Sequence, residues 1–212
     1  MRRLWDRLAA FSSSQPASAV QAGRRRKTRE TVKRIKPRTP RLELLDRREM
    51  FATFTVLSDA DAGPNTLRAA IESANATPGS DSIAFNIPGA NVKSILLKTP
   101  LPTITESVTI DGYTQPGAAK NIQSQGWNGN IRITVAPGLQ FSGDSYGLRI
   151  QGDNTTVKGL NIWGFQTTTD FADNEDVLII DTGVGVFIDG ADGCVLEGNR
   201  IWGNQEQGVF IL

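Results

Sequence analysis

Residues 185–211 read GVFIDGADGCVLEGNRIWGNQEQGVFI, a stretch that opens and closes on the same four residues. Gly185-Val186-Phe187-Ile188 and Gly208-Val209-Phe210-Ile211 start 23 residues apart, and Gly147-Leu148-Arg149-Ile150 supplies a third copy 38 residues before the first of these. A short strand pattern that recurs at such a period marks stacked repeats, each burying its apolar face against the next. The sequence therefore predicts an all-β chain coiled as a solenoid, with rungs of about 23 residues.

The 38-residue gap exceeds one rung by 15 residues. A second pair of segments places the excess. Gly159-Leu160-Asn161-Ile162-Trp163-Gly164 matches Gly198-Asn199-Arg200-Ile201-Trp202-Gly203 at an offset of 39, so the extra chain lies between Gly164 and Gly185. It is expected as an acidic insertion over 165–182 carrying Asp170, Asp173, Glu175, Asp176 and Asp181. Insertions in repeat proteins map to loops on one face, and such loops bind ligands.

Strand alternation assigns the side chains. Leu148, Val186 and Val209 would stack in one column and Ile150, Ile188 and Ile211 in another, facing a core, with Arg149, Phe187 and Phe210 turned outward. The second register stacks Val157 on Leu196, Ile162 on Ile201 and Trp163 on Trp202, and sets Lys158 beside Glu197, an opposite-charge pair that favours this alignment. With Ile162 and Ile201 inward, Trp163 and Trp202 point outward as an aromatic surface for sugar rings or a protein partner. Trp163, Trp202, Phe187 and Phe210 are the candidate ligand-binding residues. The alternative is that the insertion folds over the tryptophans or a turn reverses their parity.

Asp170, Asp173, Glu175 and Asp176 are the candidate metal ligands, since carboxylate oxygens suit calcium. Their spacing follows no ion-loop pattern, which favours a solvated acidic loop over a metal site. Paired carboxylates also serve glycoside hydrolysis. No other cofactor is implied. Asp59 and Asp61 read as turn and cap residues.

Charge divides the chain. Residues 1–48 hold 15 of the 23 Lys and Arg but 4 of the 22 acids, a net of +11, against −10 for residues 49–212. Only Gly23 of the 21 glycines falls in the basic part, which has no hydrophobic period with which to bury a face. Residues 1–52 are therefore expected as a largely disordered basic leader. Its Arg24-Arg25-Arg26-Lys27 run could grip phosphates, but no aromatic residues interleave it, which argues against nucleic acid as a partner. No apolar run reaches the roughly 20 residues of a membrane span. Leu8 to Phe11 is too short for the apolar core of a standard secretory signal.

Cys194 is the single cysteine, and the chain has no histidine. An internal disulfide, a Ser-His-Asp triad and a His-ligated metal are thereby excluded.

Between 53 and 142 the sequence predicts a cap strand at Thr53 to Val56 and an amphipathic helix from Thr66 to Ala76, with Leu67, Ala70, Ile71 and Ala74 on its apolar face. Thr77-Pro78-Gly79 ends it. Short strands follow at Ser82 to Asn86, Lys93 to Lys98, Ser107 to Ile110 and Ile131 to Val135, with the repeats themselves over 143–212.

Two segments, TFTVLSDADAGPNTLRAAIESANATPGSDSIAFNIPG (53–89) and LPTITESVTIDGYTQPG (101–117), resemble the opening of large bacterial surface or secreted proteins with right-handed parallel β-helix repeats. RLELLDRREMFA (41–52) is similar to the LEPR-XLL leader motif of many such proteins, mostly planctomycete, with Met50-Phe51 in place of the usual Leu pair. The resemblance spans 41–212. It implies a right-handed parallel β-helix, a short N-terminal capping helix and an extracellular or cell-surface location, and it carries no catalytic residues over.

The expectation is a non-catalytic surface module, structural or adhesive, that contacts a polysaccharide or another surface partner. A polysaccharide lyase or glycoside hydrolase fragment is the first alternative, and nucleic-acid binding by the leader the second. Because Val209 to Leu212 ends within a strand pattern, further rungs are expected beyond Leu212.

Overall fold

The computed structural model describes residues 51–166 and 183–212, which lie in one compact unit, Leu45–Leu212. The strands are β1 (Thr53–Val56), β2 (Asp81–Phe85), β3 (Lys93–Leu97), β4 (Val108–Asp111), β5 (Ile133–Pro137), β6 (Tyr146–Ile150), β7 (Thr156–Lys158), β8 (Leu160–Trp163), β9 (Val184–Ile188), β10 (Val195–Glu197), β11 (Arg200–Trp202) and β12 (Val209–Ile211), with one helix, α1 (Leu67–Ala76). All named strand pairs are parallel. They form a five-stranded sheet in the order β1-β2-β4-β7-β10, a four-stranded sheet β11-β8-β5-β3 and a three-stranded sheet β12-β9-β6.

This arrangement corrects the fold expected from the sequence. In place of an all-β right-handed parallel β-helix with rungs of about 23 residues, the chain is mostly β, with three small parallel sheets and one helix. Register supplies the reason. The 23-residue offset holds between β9 and β12, where Val186 partners Val209. Elsewhere Lys93 partners Ile133, Ile133 partners Leu160 and Thr109 partners Thr156, at offsets of 40, 27 and 47 residues. A period read from one strand pair does not extend to connections that each absorb a different length of chain.

Each sheet turns one aliphatic row toward a shared core. Ile83, Ile110, Val157 and Leu196 are in register in the first sheet, Ile95, Val135, Ile162 and Ile201 in the second, and Leu148, Val186 and Val209 in the third. Most of these side chains are buried in one cluster, with Leu196 and Ile201 partly buried against it, whereas Val209, and Ile211 of the second expected column, are exposed on the edge strand β12. Strand spacing near 4.8 Å lets such rows pack without voids, and each fully buried aliphatic side chain contributes about 1.5–3 kcal/mol.

Glycine opens the repeated strands for a steric reason. A Cβ on Gly147 would meet the Gly185 carbonyl oxygen, Ile162 and the Phe165 ring, and one on Gly185 would meet the Gly208 carbonyl oxygen, Ile201 and the Asn204 amide. The motif keeps glycine because one row lies directly against the next.

Helix α1 buries Leu67, Ala70, Ile71 and Ala74 and packs on β1 and β2. Thr66 caps it by accepting the Ala69 N–H at 3.3 Å. Arg68 reaches from its first turn to the Asp61 carboxylate at 2.6 Å and the Pro100 carbonyl at 2.6 Å. Asp61 is thus an ion-pair partner as well as a turn residue.

Candidate functional site

The outer face of the four-stranded sheet carries the candidate site. Because alternate residues of a strand face opposite sides, the neighbours of the inward Ile95, Val135, Ile162 and Ile201 face out. Ser94, Thr134, Asn161 and Arg200 are in register as one outer row. Trp163 and Trp202 pair in the next row, 39 % and 45 % exposed, with ring centroids 5.3 Å apart and planes 12° from parallel.

Hydrogen bonding fixes the polar row. The Trp202 indole N–H donates to Asn161 Oδ1 at 2.9 Å, and Asn161 Nδ2 donates to Thr134 Oγ1 at 3.2 Å. An indole nitrogen donates only, so the Asn161 oxygen must face Trp202 and its NH₂ group must face Thr134. The Arg200 guanidinium lies 4.8 Å from the Trp202 ring centroid, a cation–π contact. Asn199 has a structural task, accepting the Leu160 N–H at 2.9 Å and donating to the Val157 carbonyl at 2.7 Å.

A loop closes the site opposite this floor, and its placement starts at the turn DGYTQPG. Asp111 Oδ1 accepts the Tyr113 N–H at 3.0 Å, Thr114 Oγ1 accepts the Phe85 N–H at 2.6 Å, and the buried Gln115 amide bonds both the N–H and the carbonyl of Ile87 at 2.9 and 2.8 Å. Tyr113 donates its hydroxyl to the Gly198 carbonyl at 2.8 Å. Burial pushes the Tyr113 phenol above its ordinary pKa, with the negative charge of Glu197 adding to the rise.

Beyond this anchor Ala119 and Asn130 exchange backbone hydrogen bonds at 2.9 and 2.7 Å, closing the loop at its neck. Inside it Asn121 Oδ1 accepts the Asn128 N–H at 3.0 Å and Asn128 Oδ1 accepts the Ile122 N–H at 3.0 Å. Trp127 sits at the tip, 53 % exposed, and its ring lies where a Cβ on Gly129 would be. The space between loop and sheet is a cleft of about 580 Å³ lined by Val92, Trp127, Gly129, Ile131, Thr134, Asn161, Asn199 and Arg200. An aromatic wall facing a floor of amide, hydroxyl and guanidinium groups suits a ring with polar substituents on its edge.

The other candidates sit elsewhere. Phe187 is 1 % exposed and stacks on Phe210, with centroids 5.3 Å apart, in a small cluster with Tyr146 and Val184. Arg149 lies 5.3 Å from the Phe187 ring centroid and bonds Asp189 through Nε at 3.1 Å and Nη2 at 2.7 Å. Gln151 adds a third bond to the same carboxylate at 2.6 Å. The Arg149 guanidinium, then the Gln151 amide, hold Asp189 below the usual carboxylate range.

Lys158 and Glu197 are in register, but the Lys158 ammonium pairs with Asp111 at 3.1 Å, and Glu197 pairs with Lys120 of the loop at 3.4 Å. Cys194 is half-buried, its thiol pushed up by burial.

Asp170, Asp173, Glu175 and Asp176 lie outside the described residues, as does the basic leader up to Met50. Phe165, expected as the first residue of the acidic insertion, is buried in the core and meets Phe141 edge to face at 5.9 Å. Among the described residues no group of three or more His, Cys, Asp or Glu could hold a metal ion. No helix among them is long and apolar enough to cross a membrane.

Three site residues went unread in the sequence. Trp127 belongs to no repeat, although a tryptophan between glycines in the polar run IQSQGWNGN is a signal of a displayed side chain. Thr134 and Arg200 follow from carrying the outward parity of Asn161 to its strand neighbours. No protein-family model matches the chain, and none of the curated proteins matches it.

Proposed function

We propose that this protein is a non-catalytic module of the cell surface or extracellular space that contacts glycans through the cleft between Trp127 and the Thr134-Asn161-Arg200 row. The observation that supports it is the pairing of a half-exposed indole wall with a polar floor held in place by the Asn161 bonds to Trp202 and Thr134. Sugars offer apolar ring faces and hydroxyl edges, which need those two surfaces at once. The resemblance of residues 41–212 to planctomycete surface proteins supports the extracellular placement.

The test is affinity electrophoresis of the full chain through gels carrying a panel of polysaccharides, run beside assays for reducing ends and for unsaturated products. The expected result is retardation by at least one polymer, loss of that retardation in Trp127→Ala, and no turnover. Turnover of any polymer would favour the lyase or hydrolase alternative, and free migration through every gel would remove the glycan reading.

A further inference from the structure

Resting on that glycan reading, we infer that the cleft selects sugars bearing an anionic group, a carboxylate or a sulfate ester, which Arg200 receives. The polarity of the floor carries the inference. The Trp202 N–H takes one lone pair of the Asn161 oxygen, and Thr134 takes one of the two amide N–H groups, which leaves the second N–H as a donor on a residue that lines the cleft. Thr134 Oγ1, largely buried at the edge of the cleft, accepts one Asn161 N–H and keeps its own hydroxyl proton to donate. Both Asn199 groups are engaged by Leu160 and Val157.

Arg200 contributes further donors and a full positive charge. It is exposed, rests on the Trp202 ring and forms no ion pair with a described carboxylate. The three groups on the floor therefore offer donors, with positive charge at one end. A neutral sugar edge alternates donors and acceptors and would leave some of these unmatched, whereas an oxyanion accepts from all of them. A guanidinium whose face is already covered by an indole keeps its N–H edge for a planar carboxylate or a sulfate.

The experiment is isothermal titration of the full chain with polygalacturonate, the same polymer fully methyl-esterified, dextran sulfate and dextran, at low and physiological salt. The expected result is at least tenfold tighter binding of an acidic polymer than of the ester and dextran, weakened as salt rises. In Arg200→Gln that preference falls to the level of the ester. Asn161→Asp keeps an acceptor for Trp202 but places negative charge on the floor, and it too should cut acidic binding by tenfold or more while the fold melts as before. Binding of polygalacturonate identifies the carboxylate source, and binding of dextran sulfate alone identifies the sulfate source. Equal binding of both acidic polymers and their neutral counterparts, or an Arg200→Gln protein that keeps the preference, overturns the inference and leaves the glycan reading standing. Failure to bind any of the four polymers, together with free migration through every gel of the panel, removes both.

Discussion

The indole rings of Trp163 and Trp202 lie face to face on neighbouring strands, centroids 5.3 Å apart and planes 12° from parallel. Parallel pairing in exact register places like residues one strand spacing apart, close to the distance at which flat rings stack with an offset. Two indoles held this way couple electronically. A couplet in the ultraviolet circular dichroism spectrum is expected, and it should vanish equally in Trp163→Ala and Trp202→Ala. Both rings are partly exposed, so each variant should lose only about 0.5–1.5 kcal/mol of stability. A couplet that survives either change would show that these two rings do not stack.

Gly185 gives a sharper stability test. Alanine there would set a methyl group against the Gly208 carbonyl oxygen, Ile201 and Asn204. Overpacking against backbone typically costs about 1–3 kcal/mol, so Gly185→Ala should lower the unfolding free energy from denaturant titration by that amount, with an earlier midpoint and an unchanged slope. Alanine at Gly190, where a Cβ meets nothing within 4 Å, controls for the loss of backbone freedom, with the strain of its positive φ of 71° as its only expected cost. If Gly185→Ala is as stable as the wild type, the close approach of strands at Gly185 is not what requires glycine.

The Arg149–Asp189 pair predicts a pH dependence. Asp189 is held below the ordinary carboxylate range, first by Arg149 and then by Gln151. A carboxylate with a lower pKa folded than unfolded contributes stability above its unfolded value, and loses it as pH falls through the folded one. The difference in melting temperature between the wild type and Asp189→Asn should therefore be full above about pH 5 and close only as pH falls through the lowered folded-state value, below the ordinary aspartate range. A difference that stays constant over that range would contradict the charge-assisted pairing.

Much of the strand framework was legible because inward aliphatic residues must alternate. The register of Leu148, Val186 and Val209, and of Ile162 with Ile201, follows from that alternation. The 23-residue period did not extend because connection length is unconstrained. The chain between Thr109 and its partner Thr156 includes the Trp127 loop, β5 and β6. Alternation gave Phe187 its outward parity but not its burial beside Tyr146 and Phe210, which depends on neighbours outside the strand. It gave the Lys158–Glu197 register but not their ion pairs, since Asp111 flanks Lys158 on the other side and Lys120 arrives from the loop. Trp127 was illegible for the same reason: Asn121, Asn128 and Gly129 place it by turn hydrogen bonds and close contact, which leave no period.

The central claim is that the Trp127 cleft is a glycan-binding surface, and calorimetric titration of the full chain with a polysaccharide that retards it, beside Trp127→Ala, tests it most directly. A flat aromatic side chain such as Trp127 contributes through burial of apolar area, and truncating a buried contact of this kind costs about 1 kcal/mol or more in binding. The account predicts saturable binding by the wild type and a loss of at least fivefold in Trp127→Ala, with the melting temperature unchanged because the ring is half exposed. Equal affinity in the two proteins would contradict it.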